Sequence, residues 1–315
     1  MRISVRHAAI FWTLGLVLAT VALAIRHFEK DARGQVSLAA GDAVEIGAET
    51  LVLRKFEIER YPSGKPRQFV SEVSVIVPGE DALPSAVNSK ISVNHPLVRG
   101  DLWIYQSAYN EALGETVLVV VRDRCLALAV MAGVLLLLGS LVNVFADRSE
   151  CICIETSAEA HSPIRRKISI GAALLTLAIP TFIILRAVLR PEPVPALQLP
   201  LMAPHVAAYA TSYAIMIFAA FGIGRRLMPI GFLLMTVGLV LGAIWGKICW
   251  GDWWQYDPKE MWGLFTFLTY AGYFLVRRYP RLELVLRIAG ATIVLLTATW
   301  VNFSVHFSGL HSYAS

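Results

Sequence analysis

Trp250-Gly251-Asp252-Trp253-Trp254-Gln255-Tyr256-Asp257-Pro258-Lys259-Glu260-Met261-Trp262 is the stretch around which the chain is organised. Five of the eight tryptophans fall between Trp245 and Trp262, at the end of a long apolar run. Ordinary core packing rarely needs that density, and it offers a platform for a flat ligand. Asp257 reads as a helix N-cap, with Pro258 at the first helical position and Glu260 placed to close a capping box. A membrane-interface belt of Trp and Tyr would account for two or three of these rings without a ligand.

The solvent of this platform follows from composition. Hydrophobic residues make up 56% and charged residues 16% of 315 positions, against roughly a quarter charged in soluble domains. The chain therefore reads as a polytopic α-helical membrane protein with one small extracytoplasmic all-β domain. Runs long enough to cross the hydrocarbon, about 20 residues each, lie at 8–25, 124–145, 168–187, 205–223, 228–249, 258–276 and 283–302, giving about seven transmembrane helices. The first, with Arg2, Arg6 and Ala22-Leu23-Ala24, also has the features of a signal peptide; it is read as an uncleaved anchor. The net charge of +5 gives no reason to expect nucleic acid, because Lys and Arg cluster at the ends of apolar runs. Arg2 and Arg6; Arg148, Arg165, Arg166 and Lys167; Arg225 and Arg226; and Arg277, Arg278 and Arg281 fall on one side when seven spans alternate. By the positive-inside rule that side is the cytoplasm, which puts the N-terminus inside and the tryptophan stretch and C-terminus outside.

The organisation expected is an anchor at 1–25, a β domain at 26–123, a second span with a cytoplasmic loop at 124–167, and a membrane domain at 168–315. Alternation at Leu51, Leu53, Phe56 and Ile58, a turn cluster at 61–66 and alternation again at Val73, Val75 and Val77 read as a hairpin. Runs at 91–93, 103–105 and 116–121 add strands. His95 beside Pro96 is read as a plain loop histidine. Cys151-Ile152-Cys153 has no second pair and lacks common zinc spacing.

Chemistry is expected on the outer face. His205 at the start of the fourth span, His306 and His311 beyond the seventh, and the tryptophan stretch come from three connections on one side. Zinc would leave the tryptophans unexplained. Haem with two axial histidines accounts for both features, since its iron accepts imidazole and its macrocycle stacks on indole. Lys247, Lys259 and Arg190 are candidate partners for its two propionates.

Trp250-Gly251, Trp254, Tyr256-Asp257-Pro258-Lys259-Glu260 and Trp262 resemble the tryptophan-rich WWD signature of the haem-handling proteins of cytochrome c biogenesis, in the CcsA (ResC) branch. The usual form has Trp where this chain has Tyr256. Gly242 to Trp245, Leu201 to Tyr213, and Val301-Asn302 with Gly309-Leu310-His311-Ser312-Tyr313 resemble the flanking family segments. Val93-Asn94-His95-Pro96-Leu97, Gly100 and Tyr105 to Tyr109 are similar to part of the CcsB (ResB) partner, so the chain resembles a shortened fusion of the two. The resemblance implies haem b on Trp250, Trp253, Trp254, Tyr256, Asp257 and Trp262 with axial His205 and His311, in a bacterial inner membrane with the site facing the periplasm. It implies a haem lyase or synthetase joining haem to Cys-x-x-Cys-His of an apocytochrome c, with no nucleophile from this chain. Thiol-reducing partners and the bilayer complete the expected surroundings. Two departures stand out. The family's Tyr-Leu-His segment reads Tyr273-Phe274-Leu275 here, and neither of the first two spans contains an intramembrane histidine, so the second haem site of the family is expected to be missing. Two rival readings follow: a non-enzymatic haem subunit carrying electrons from quinol to a cytochrome, and a docking chaperone for a multihaem cytochrome.

Overall fold

A computed structural model describes residues 4–29, 33–77, 85–146 and 191–301, with a few isolated positions between 178 and 189. Six helices are described: α1 (Val5–Phe28), α2 (Leu126–Phe145), α3 (Met202–Ala220), α4 (Met228–Trp250), α5 (Pro258–Val276) and α6 (Pro280–Leu296). The last continues into a π turn at Thr297–Val301. All of these except α5 are long and apolar enough to cross a bilayer. In α5, Trp, Tyr and Thr replace aliphatic residues, and Thr266, Phe267, Tyr270, Tyr273 and Phe274 are buried in the bundle. The expected span at 168–187 lies outside the described residues apart from isolated positions, as do Cys151, Cys153, Arg190, His306 and His311.

α1 and α2 pack closely because glycines sit where the helices cross. A Cβ on Gly139 would stand 2.5 Å from the Trp12 ring, and one on Gly15 would stand 2.9 Å from Leu136. Small residues at such crossings let backbones approach where no hydrophobic effect drives association. A polar thread then ties this pair to α4. Trp12 Nε1 donates to Ser140 Oγ at 3.2 Å, Ser140 and Thr236 hydroxyls are 2.8 Å apart, and Thr236 Oγ1 donates to the Phe232 carbonyl at 2.9 Å. Each buried hydroxyl therefore has a partner, and the N-terminal and C-terminal helices form one bundle.

Between α1 and α2 the chain forms two four-stranded antiparallel sheets. One has the order β1 (Arg33–Leu38), β8 (Glu115–Arg122), β7 (Leu102–Asn110), β6 (Leu97–Arg99). The other runs β2 (Ala43–Ile46), β3 (Glu49–Arg60), β4 (Pro66–Val77), β5 (Ser85–Ser92). The hairpin read from 51–77 is β3 and β4, joined through the 61–65 turn. The short edge strands β2 and β6 carry too few alternating residues to be seen in the sequence. Leu53, Val73, Ile91, Ile104 and Leu118 fill the space between the sheets. On the opposite face of β7 and β8, Trp103, Tyr105, Val119 and Val121 form a second apolar patch. A face open to water would be polar; this one is apolar because it rests on the loop after α4.

Candidate functional site

Gly251 ends α4 in the left-handed region, at φ +89°. Besides the turn, it permits close approach: a Cβ there would lie 3.0 Å from the Tyr105 ring and 3.1 Å from Val121. The tryptophan stretch is thereby pressed against the outer face of the β7–β8 sheet, and two charged clusters hold it there. Asp123, at the exit of β8, accepts from Lys247 Nζ at 2.5 Å, from Trp253 Nε1 at 3.1 Å and, through its other oxygen, from the Cys125 amide at 3.1 Å. Both side chains of the Lys247–Asp123 pair are 3% exposed. Lys247 also donates to the Gly251 carbonyl at 3.2 Å and lies 4.7 Å over the Trp103 ring. The second cluster centres on Asp252, bound by Arg26 at 3.0 Å and by Arg33. These contacts come from the α1 end, the β domain, the α2 start and α4, so four segments converge on one loop.

The residues expected at the site separate into several roles. Trp245 is fully buried and structural, donating to the Ala196 carbonyl at 3.0 Å, with Trp250 packed against it at 4.8 Å between ring centroids. Trp253 is tied to Asp123. Asp257 is the N-cap of α5: its Oδ1 accepts from the Lys259 amide at 2.9 Å, while Glu260 Oε2 accepts from the Gln255 and Asp257 amides at 2.8 and 3.3 Å. The local capping reading of this segment therefore describes its backbone. Tyr256 stands at φ +57° and is 60% exposed. Trp262 packs edge-on with Phe265. Lys247 is placed in the joint beside Asp123 rather than at an open rim, and Lys259 opens α5. Leu275 is half exposed on α5.

His205 lies at the start of α3 against α4. Its Nδ1 is 2.8 Å from the Gly238 carbonyl. A carbonyl only accepts, so Nδ1 carries a proton; in the neutral ring Nε2 then holds the lone pair, the arrangement usual in metal-binding histidines. Its imidazole rests on Gly242, where a Cβ would stand 2.6 Å from Cε1. Tyr209 meets it edge-on at 5.3 Å and Trp245 lies 6.1 Å away. The donor chemistry thus fits an iron-bound macrocycle among aromatic rings. No cluster of three or more His, Cys, Asp or Glu occurs among the described residues.

Two cavities flank the stretch. A cavity of about 950 Å³ lies between the β domain, the α1 end and the loop, with Trp250, Trp254 and Tyr256 on the loop wall. An apolar cleft of about 460 Å³ lies between α1, α2 and α4 and reaches Trp253, Trp254 and Tyr256 from the other side. Neither is lined by Trp262, Asp257 or His205. Within the larger cavity, Tyr105 is 2% exposed and its hydroxyl has no hydrogen-bond partner among the described residues. Burial pushes the Tyr105 phenol well above the usual range, with Asp123 and Asp252 adding to the effect, so it stays a neutral donor. Gln255 Oε1 is likewise buried and unpartnered. From the sequence alone Asp123, Asp252, Arg26, Arg33 and Tyr105 carried no site role, although Asp252 and Tyr105 lie in the segments that carry the resemblance. One signal was present: a lysine inside an apolar span needs a counter-ion.

Residues 221–309 match the family of cytochrome C assembly proteins, and residues 6–130 match the ResB-like family. The chain is 39% identical over 95 residues to the cytochrome c biogenesis protein CcsA of Prochlorococcus marinus (strain MIT 9303), a match covering 28% of each chain. It is 37% identical over 95 residues to that of Synechococcus sp. (strain WH7803), again 28% of each. Against that of Prochlorococcus marinus (strain NATL1A) it is 42% identical over 92 residues, 28% of this chain and 29% of the relative. The chain thus spans little more than a quarter of the length of these curated relatives. A ResB-like segment is followed by a CcsA-like one in a single membrane protein, and the cytochrome C assembly match begins after His205 and ends before His311.

Proposed function

We propose that this chain holds haem b at the extracytoplasmic membrane face and presents it for covalent attachment to Cys-x-x-Cys-His of an apocytochrome c. The observation that carries this reading is His205, whose Nδ1–H is fixed on the Gly238 carbonyl while its ring rests on Gly242 beside Trp245. Bound haem supplies two vinyl groups, across each of which a thiol adds: sulfur bonds one carbon and the thiol hydrogen passes to the other. The chain's own contribution is positioning, which in favourable intramolecular cases supplies about 7–11 kcal/mol of a barrier. His205 and His311 would hold the haem iron, Trp250, Trp253, Trp254, Tyr256 and Trp262 would form the aromatic surround, and Lys259 and Arg190 would be the candidate propionate partners. The N-terminus lies in the cytoplasm, and the site and C-terminus lie outside it. The similarity of residues 221–309 to cytochrome C assembly proteins supports the same chemistry.

The test is co-expression with a Cys-x-x-Cys-His reporter in cells lacking their own pathway, scored by haem that stays bound after denaturation. His205→Ala and His311→Ala should each shift the haem spectrum and lower haem content. Unchanged low-spin spectra in both would remove this axial pair. The apolar cleft gives one observation in favour of a rival reading, a permanent haem fed by quinol; that reading predicts reversible titration with no covalent transfer.

A further inference from the structure

The larger cavity has an unusual wall. Five consecutive residues of β7, Tyr105 to Tyr109, line it. Successive side chains on a strand point to opposite faces, so one cavity reaches five in a row only along the strand's edge. β8 takes one edge, pairing with β7 as far as Asn110. On the other edge β6 pairs only with Leu102, Trp103 and Ile104. Beyond Ile104, no described strand covers that edge. A register shift between Gln106 and Ala108 leaves Ser107 bulged and exposed. Bulges of this kind bend an edge and re-aim its side chains. Gln106 Nε2 donates to the Ala108 carbonyl at 2.9 Å, so that group is already engaged.

Two buried polar atoms without a partner among the described residues belong to side chains that line this cavity. Tyr105 offers a buried unpartnered hydroxyl from the β wall, and Gln255 a buried unpartnered carbonyl from the loop wall. One donates and the other accepts, which matches the carbonyls and amides of an extended peptide. Trp250 and Trp254 lie on the loop wall opposite β7. Five residues of extended chain span about 16 Å, the length of the open part of β7.

We propose that the open edge of β7, from Tyr105 to Tyr109, is the docking strand for the Cys-x-x-Cys-His segment of the partner apocytochrome, which adds to the sheet as an extended strand between β7 and the tryptophan loop. The identity of the partner rests on the function proposed above; the site rests on the strand edge and its unpartnered groups. Strand addition obtains affinity from main-chain hydrogen bonds and specificity from pockets for alternate side chains. The loop rings thereby sit beside the incoming thiols.

The experiment uses the full-length protein in nanodiscs and a fluorescent peptide containing reduced Cys-x-x-Cys-His. Ser107→Pro replaces the amide N–H at the bulge with a ring, and Tyr105→Phe removes the hydroxyl. Peptide affinity should fall at least tenfold in the first and about threefold in the second, with the haem spectrum unchanged in both. Wild-type affinity in both variants, with that spectrum intact, overturns the proposal. Should Ser107→Pro fail to fold, Ser107→Cys is compared with Glu45→Cys on the β2 edge, using a peptide carrying an activated disulfide. Exchange at least ten times faster at position 107 supports docking there, and equal rates overturn it. His205→Ala separates the two readings: it should shift the haem spectrum and lower haem content while leaving peptide affinity intact. An unaltered chain that binds haem but no peptide would end the docking proposal alone.

Discussion

The two ends of the helix bundle each bury an acid among cations, and they use it differently. At the turn between α3 and α4, Glu283 lies 2.7 Å from Arg225 and 3.0 Å from Arg287. Arg287 Nη1 also donates to the Ala219 and Ala220 carbonyls at 2.6 and 2.9 Å. A helix leaves its last carbonyls without internal partners, so this cluster closes the end of α3. None of its residues lines either cavity. At the opposite end Asp123 gathers Lys247, Trp253 and the start of α2, and Asp252 gathers Arg26 and Arg33. There the charges tether an irregular loop whose two sides front cavities. Similar pairs make a plug at one end and a tether at the other, and the difference comes from what the cations reach: helix carbonyls in one case, a loop in the other.

The largest effect should come from breaking the tether. Asp123→Ala leaves Lys247 buried without its counter-ion, which costs about 3–5 kcal/mol in comparable sites. It also frees Trp253, so thermal unfolding in detergent should begin earlier and haem content should fall. Glu283→Gln keeps an acceptor in place while removing the charge; a loss of about 1–3 kcal/mol is expected, with haem content unchanged. The comparison breaks if both variants lose stability equally and neither loses haem.

Much of the scaffold behind this contrast was legible in the sequence, and the charged clusters show where pattern runs out. The helices, the β3–β4 hairpin and the N-cap at Asp257 follow from apolar runs, alternation and capping chemistry, all of which act over a few residues. The arginine clusters at the ends of the apolar runs were visible for the same reason. Asp123 and Lys247 are 124 positions apart, and Asp252 is more than 200 from both Arg26 and Arg33. Their pairing needs the fold. Lys247 read as a propionate partner because its charge was visible and its partner was not. The tryptophans were legible as a group, but not their division into a buried strut at Trp245, a tied ring at Trp253 and cavity walls at Trp250 and Trp254.

A smaller change tests His205 without removing it. Gly242→Ala places a methyl 2.6 Å from His205 Cε1, too close for the ring to keep its place. Overpacking of this kind costs about 1–3 kcal/mol. The haem absorption should shift while the peptide affinity holds, because no wall of the larger cavity includes Gly242. Absorption identical to the unaltered chain would show that the imidazole is not held where the iron needs it.

The smallest expected effect has the opposite sign and separates the two ends most cleanly. The turn between α3 and α4 takes positive φ at Gly222 and Gly224, at +80° and +66°, where glycine meets no penalty. The platform loop takes φ +57° at Tyr256 instead, which costs a side-chain-bearing residue about 1–2 kcal/mol. Tyr256→Gly should therefore raise the unfolding midpoint slightly, partly offset by glycine's larger entropy loss on folding. Asp257→Ala, which removes the α5 cap one residue later, should lower it by about 1 kcal/mol. If the strain at Tyr256 is retained because its ring must stand at the junction of the two cavities, Tyr256→Gly will stabilise the chain and lower covalent haem transfer together. A variant that is more stable and transfers haem as well as before would make the strained tyrosine incidental, and the platform end would then differ from the plugged end by its tether alone.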